Sequence, residues 1–222
     1  YLMVIPHHKN GMMTVREKMS EFKVHNLWPV PLYQGRLKTK DEWKEKIINL
    51  KYNRTNIGNS DISEDRNILD KMPDLKSEIE IHTQNYIRKY LHIKKDLDFY
   101  MLNSWVNIHR PNDWSQIHNH GNSLISGVYY PIFPKDSGHI QFHRCNRINL
   151  FDQCIMMEYD EDTIVNAGRY QIDVSEDLIV LFPSHLEHSV NKNISNKNRY
   201  SLAFNYYVRG KLGKEEYQLE LK

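Results

Sequence analysis

The sequence predicts a mainly β fold with flanking helices, a barrel or jelly roll with a helical part ahead of it. From Phe99 onward the chain breaks into short runs rich in Val, Ile, Tyr and Phe, punctuated by Gly, Pro, Asn and Asp. That is the texture of half-buried strands joined by turns. About eight such runs follow one another, the number used by an eight-stranded barrel or a two-sheet jelly roll. Before Phe99 the apolar residues recur at helical spacing instead.

Taken in order, Thr39-Lys40-Asp41-Glu42 has the form of a capping box, and the helix after it would bury Trp43, Ile47 and Leu50. A second helix is expected after Pro73, a residue suited to a first turn. Its stripe is Leu75, Ile79, Tyr86, Ile87, Tyr90 and Leu91. Both helices should pack on a sheet. The candidate strands are 99–109, 114–120, 124–133, 139–143, 170–174, 178–182, 187–190 and 199–208, with 146–162 as a loop. At 222 residues the chain suits one good-sized domain. It divides into an N-terminal extension, 1–22, and a single domain, 23–222, helical to about residue 97 and β from about 98 to 210. Cupins, a jelly-roll class, have this size.

Composition limits the function. No apolar run approaches the roughly 20 residues of a membrane span, and the first residues lack the apolar core and cleavage site of a secretory signal. The net charge of +2 and the alternating charges of 38–51 and 61–76 describe solvated helix faces and do not indicate a nucleic-acid partner. The two cysteines, Cys145 and Cys154, are near enough in sequence to pair, yet so few thiols in this length point to a reducing compartment. Cytoplasm is the expected location.

His118 and His120 are two apart, so on a strand both would face one way. Far downstream, His188 closes Phe182-Pro183-Ser184-His185-Leu186-Glu187-His188, where a strand ends, turns at Pro183 and restarts. Three imidazoles converging from two strands would occupy one face of an octahedron and leave open positions, as non-haem iron sites require. The chain has 12 histidines, so such a set also arises by chance. His82, His92, His109 and His143 read as surface or core residues. The last strand adds a second signal. By alternation Arg199, Ser201, Ala203 and Asn205 share one face, while Tyr200, Leu202, Phe204 and Tyr206 share the other. The bulky face suits packing beneath helices. The small polar face with a single cation suits a cavity holding a dicarboxylate, since a guanidinium presents a planar fork to a carboxylate and a hydroxyl adds a donor.

His188 followed by Arg199-Tyr200-Ser201 resembles the distal histidine and R-x-S signature of Fe(II)/2-oxoglutarate-dependent oxygenases. His118-Asn119-His120 followed by Ser126-Gly127-Val128-Tyr129-Tyr130 is similar to the strand pair of prolyl-hydroxylase-type members, where an H-x-D pair precedes a Tyr-Tyr strand. With Leu181-Phe182-Pro183-Ser184 and Ala203-Phe204-Asn205, these motifs resemble one branch of 2OG-Fe(II) oxygenases over roughly 27 to 210.

The resemblance implies a double-stranded β-helix, Fe(II) held by His118, His120 and His188, and 2-oxoglutarate as co-substrate chelating that metal. It implies that Arg199 meets the far carboxylate with Ser201 and Tyr130 as donors, and that O2 hydroxylates a primary substrate. The chain departs from the family at His120, where most members have an acid. The alternative is that His120 does not bind, and that water or a distant acid such as Asp113 completes the site. Glu187 should point away, and His185 is a weaker candidate. Two other functions compete: a metal-binding cupin with other chemistry, a three-histidine dioxygenase or isomerase, and a non-catalytic β-helix binding protein. A protein or peptide side chain is the first substrate candidate, on the prolyl-hydroxylase-like strands. The loop 146–162, with Phe151, Met156 and Met157, is either a lid or an ordinary surface loop.

Overall fold

The computed structural model describes residues 29–55, 58–144 and 158–222. The extension 1–22, both cysteines and most of the candidate lid lie outside them. The elements run β1 (Tyr33–Arg36), α1 (Asp41–Ile48), β2 (Tyr52–Arg54), β3 (Asp61–Ser63), α2 (Pro73–Gln84), β4 (Asp98–His109), β5 (Ser115–His118), β6 (Ile125–Ile132), β7 (Ile140–His143), β8 (Arg169–Gln171), β9 (Leu178–Pro183), β10 (His188–Val190), β11 (Arg199–Leu212) and β12 (Leu219–Leu221). Every expected strand is present. The short β1, β2, β3 and β12 are additions the sequence pattern did not reveal.

The strands form two antiparallel sheets, the jelly roll expected. The larger runs β1-β9-β6-β11-β4-β3-β2, with β12 on the end of β11, and the smaller runs β5-β10-β7-β8. Long central β11 carries the architecture. Leu202, Phe204, Tyr206 and Val208 point outward and pack with Trp43, Ile47, Leu75, Ile79, Tyr86 and Ile87 from the helical half. Between the sheets a second cluster joins Val128, Tyr130, Val180 and Phe182 to Ile140, Phe142, Ile172 and Val174. Side chains of one strand thus divide between two cores, as a period of two dictates. Pro131 has no N–H to give the ladder, and the β6–β11 register shifts between the pairs Tyr200↔Ile132 and Leu202↔Tyr129 that flank it.

Two helix details differ from the sequence reading. Lys40, not Thr39, precedes α1, and no side chain caps that helix. Thr39 instead donates its hydroxyl to Asp177 and bonds the Tyr129 hydroxyl, tying the start of the helix to the sheet. The expected Thr39–Glu42 box is lost because these tertiary partners compete for the hydroxyl. Beyond α2 the chain continues as a π-helical turn, Asn85–Tyr90. The wider turn takes Tyr90 off the buried stripe to 61% exposure, stacked on Tyr86. Among the described residues no helix is long and apolar enough to cross a membrane.

Candidate active site

Between the sheets lies a cavity of about 350 Å³. Three of its walls can be traced strand by strand, and sequence alternation aligns only the first of them and the His118/His120 pair of the third. β11 contributes Arg199, Ser201, Ala203 and Asn205, and β4, its antiparallel neighbour, contributes His109, Asn107, Trp105 and Asn103 directly opposite. The third wall carries His118, His120 and His188.

The histidines are placed by backbone pairing. His118 ends β5 and His188 begins β10, and the two are register partners. Their rings are 4.4 Å apart, centroid to centroid. His120 falls beyond the end of β5, so the expected strand to 120 is two residues too long. Its N–H donates to Ser184 O at 3.0 Å, while Ser184 N–H donates to Leu124 O at 3.0 Å. That pairing returns the His120 ring to within 5.5 Å of His118 and 5.1 Å of His188. One ring nitrogen from each of the three lies within 4.8 Å of the others.

Hydrogen bonding says which nitrogen. His118 Nδ1 is 2.8 Å from Gln116 O and His188 Nδ1 is 3.0 Å from Leu186 O. A carbonyl can only accept, so both rings carry hydrogen on Nδ1, and in the neutral imidazole that leaves the lone pair on Nε2. His120 Nδ1 is 2.7 Å from Asn205 Oδ1 and 2.9 Å from Ser126 Oγ. Burial keeps two of the rings neutral at pH 7: it pushes His120 down to about 4, with His118 adding to the shift, and His188 down to about 3, with His118 and His120 adding. Neutral imidazole is the form that binds metal.

Arg199 is 1% exposed. Its Nη1 donates to Gly138 O at 2.7 Å and Ser137 O at 3.2 Å, while Nε is buried with no partner among the described residues. No carboxylate pairs with it among them. Burial pushes its guanidinium down to about 10, so it is still charged at neutral pH. A buried cation short of an anion is expensive unless a ligand supplies one. Gly138 makes the carbonyl contact feasible: its φ is +88°, and a Cβ there would meet Asn191 O at 2.1 Å. Tyr130 is also buried and lines the cavity. Burial raises its phenol, outweighing the downward pull of Arg199, so it remains a hydrogen-bond donor. Ser201 faces the cavity beside it.

The alternatives for a third ligand fall elsewhere. Asp113 pairs with Arg54 and accepts from the N–H of Arg110. His185 and Glu187 are exposed and stand outside the imidazole cluster. The sequence reading missed His109, assigned to surface or core. It lines the cavity at 2% exposure, with Nε2 bonded to Ser115 Oγ at 2.8 Å and Nδ1 unpartnered among the described residues. Its register with Arg199 was the available signal, but strand pairing is not written in either segment alone.

Residues 103–205 match the family model described as "Putative 2OG-Fe(II) oxygenase". The matched segment begins on β4, ends on β11 and contains all six residues singled out above for metal and co-substrate. No curated protein matches the chain in sequence. Among solved structures the chain is similar to an oxidoreductase of the 2OG-Fe(II) oxygenase family from Burkholderia pseudomallei (TM-score 0.54, 11% identity, 74% of this chain and 76% of that one). It is similar also to HygX from Streptomyces hygroscopicus, solved with nickel, 2-oxoglutarate and hygromycin B (TM-score 0.55, 10% identity, 80% and 82% covered). A third is SnoN, a non-heme alpha ketoglutarate dependent epimerase from nogalamycin biosynthesis (TM-score 0.51, 12% identity, 74% and 68% covered). At these identities the likeness is one of fold.

Proposed function

We propose, for a chain whose residues 103–205 match the family model described as "Putative 2OG-Fe(II) oxygenase", that it is an Fe(II)- and 2-oxoglutarate-dependent dioxygenase hydroxylating a substrate not yet identified. The observation that carries this reading is the pairing, within one cavity, of three inward imidazoles and a buried guanidinium whose Nε has no partner among the described residues. The helical half shares a hydrophobic cluster with the larger sheet, which supports treating residues 23–222 as one domain.

The side chains fit both groups. His118, His120 and His188 would hold the metal, an all-nitrogen set that suits iron. Arg199 would take the far carboxylate of 2-oxoglutarate, with Ser201 and Tyr130 as hydroxyl donors. Bound iron would supply the oxidising chemistry of the family, in which O2 and 2-oxoglutarate become succinate, carbon dioxide and one oxygen atom inserted into a C–H bond of the substrate. The chain's own contribution is positioning. The Nδ1–H bonds of His118 and His188 fix those rings with Nε2 inward. The charge on Arg199, enclosed away from water, selects a dianion over a monocarboxylate. Val128, Ile140 and Phe182 make the wall around these groups apolar, which strengthens each charge inside. Replacing the usual acid by His120 leaves the ligand set neutral, so the bound metal keeps its full charge for the dianionic co-substrate.

A protein or peptide side chain is the first substrate to test, on the resemblance of 126–130 to prolyl-hydroxylase strands. A three-histidine dioxygenase that needs no 2-oxoglutarate is the second reading, favoured by the missing carboxylate ligand. It leaves without a task the charge of Arg199, which has no carboxylate partner among the described residues. Release of carbon dioxide from 1-labelled 2-oxoglutarate under air decides between them. It should require added Fe(II) and vanish in His188→Ala, and iron binding without any release would favour the second reading.

A further inference from the structure

We infer that Asn205 is the positioning residue for the third imidazole, an amide that sets the tautomer of His120 and so allows a histidine to stand where most of the family place an acid. The inference rests on the metal site proposed above and concerns a residue outside the ligand set. His120 is the exception among the three rings. The carbonyls facing His118 and His188 belong to residues two positions earlier in the same strand or turn, Gln116 and Leu186. The oxygens facing His120 Nδ1 are both side chains, Ser126 Oγ of β6 at 2.9 Å and, nearer at 2.7 Å, Asn205 Oδ1 of β11, 85 positions away in sequence.

The amide has two ends, and they act oppositely. With Oδ1 toward the ring, His120 must carry its hydrogen on Nδ1, and Nε2 offers a lone pair to the metal. With Nδ2–H2 toward the ring, Nδ1 would have to accept, hydrogen would move to Nε2, and the ring would present a donor to the cation. The first arrangement is the one built. Asn205 Nδ2 donates to Asn103 Oδ1 at 3.0 Å, on the directly opposite position of β4, which turns Oδ1 toward His120. From the other side Ser126, the β6 register partner of Asn205, lies 2.7 Å from the same Oδ1 and 2.8 Å from Ser184 Oγ. Because Oδ1 only accepts, the Ser126 hydrogen goes to it, and Ser184 can donate to Ser126 in turn. Asn205 is 5% exposed and Ser126 fully buried, so water does not compete for these bonds. Two neighbouring strands therefore hold one amide in the orientation a histidine ligand needs.

Outer partners of ligating histidines typically carry 10–100-fold in metal affinity. The test is titration with Co(II) alone, reading the dissociation constant and the visible d–d bands. Proteins compared are wild type, Asn205→Leu, the smaller Asn205→Ala and the acceptor-only Asn205→Asp. Asn205→Leu and Asn205→Ala should bind roughly 10–100-fold more weakly with altered bands. Asn205→Asp should stay within about threefold of wild type or bind more tightly, since a carboxylate still accepts from Nδ1. In a His120→Ala background, Asn205→Ala should cause no further loss, because the partner it orients is gone. Unchanged affinity in Asn205→Ala, an Asn205→Asp protein as weak as the alanine variant, or a full loss added on top of His120→Ala would overturn the inference. A wild-type protein that binds no Co(II) would overturn the metal site itself.

Discussion

Arg199 and His109 face each other directly across the β4–β11 ladder. Each keeps one buried nitrogen, Nε of the arginine and Nδ1 of the histidine, without a partner among the described residues. Two buried nitrogens left without a bond on one cavity wall cost about 1–3 kcal/mol each or more for the charged one, a cost a bound carboxylate would remove at Arg199 and, where the hydrogen of His109 sits on Nδ1, at that ring as well. The ligand requirement of this end of the cavity is thus visible in what the protein leaves unmade.

Arg199→Ala should weaken 2-oxoglutarate binding on the order of a hundredfold or more, since removing one member of a buried charge pair costs roughly 3–5 kcal/mol. Calorimetric titration of the anaerobic, metal-loaded protein measures it. Metal affinity should change little, because Arg199 stands at the other end of the β11 face from Asn205.

His109→Leu should weaken the same affinity about tenfold, the loss of one neutral donor. Ser115 donates to Nε2 in the arrangement that leaves a hydrogen on Nδ1 for the carboxylate. His109→Asn retains a donor and should recover part of the loss. Equal affinity in wild type and His109→Leu would return this residue to a structural role.

The metal-free protein should lose stability as pH falls below about 6.5. Burial holds His109 well below its ordinary value, with Arg199 and Arg54 adding to it, and holds His120 and His188 at about 4 and about 3. The unfolded chain takes up these protons near pH 6.5, so below that pH it binds more protons than the fold and is favoured. The contribution is fully present above the unfolded pKa and is lost as pH drops toward the folded values. Tm should fall between pH 7 and 5, less steeply in His109→Asn.

Gly127→Ala should destabilise the fold by about 1–3 kcal/mol. A Cβ there would meet the Phe204 ring at 2.3 Å and Leu181 Cδ2 at 2.6 Å, on the face where the helices pack. Thermal denaturation should show a loss of several degrees, with Fe(II) affinity at 10 °C close to wild type.

Strand content and the two faces of β11 were legible because alternation is local: Leu202, Phe204 and Tyr206 read as one face, Arg199, Ser201 and Asn205 as the other. The H-x-H pair was legible for the same reason, although His120 reaches the cluster through a bond to Ser184 and not as part of a strand. His109 and Asn205 were not legible in their roles. Each acquires its partner from a distant segment, Arg199 for His109 at 90 positions and His120 for Asn205 at 85, and the strand register that brings them together depends on bulges and on Pro131. Thr39 misled because a capping box is a local pattern, and its hydroxyl found Asp177 and Tyr129 across the fold instead.

The most direct test is anaerobic titration of the Fe(II)-loaded protein with 2-oxoglutarate, followed by visible absorption. A charge-transfer band that grows to saturation at one equivalent, persists in Gly127→Ala and disappears in Arg199→Ala at the same concentrations is the expected result. Tight Fe(II) binding with no such band at saturating 2-oxoglutarate would contradict the assignment of this cavity to a 2-oxoglutarate-dependent oxygenase.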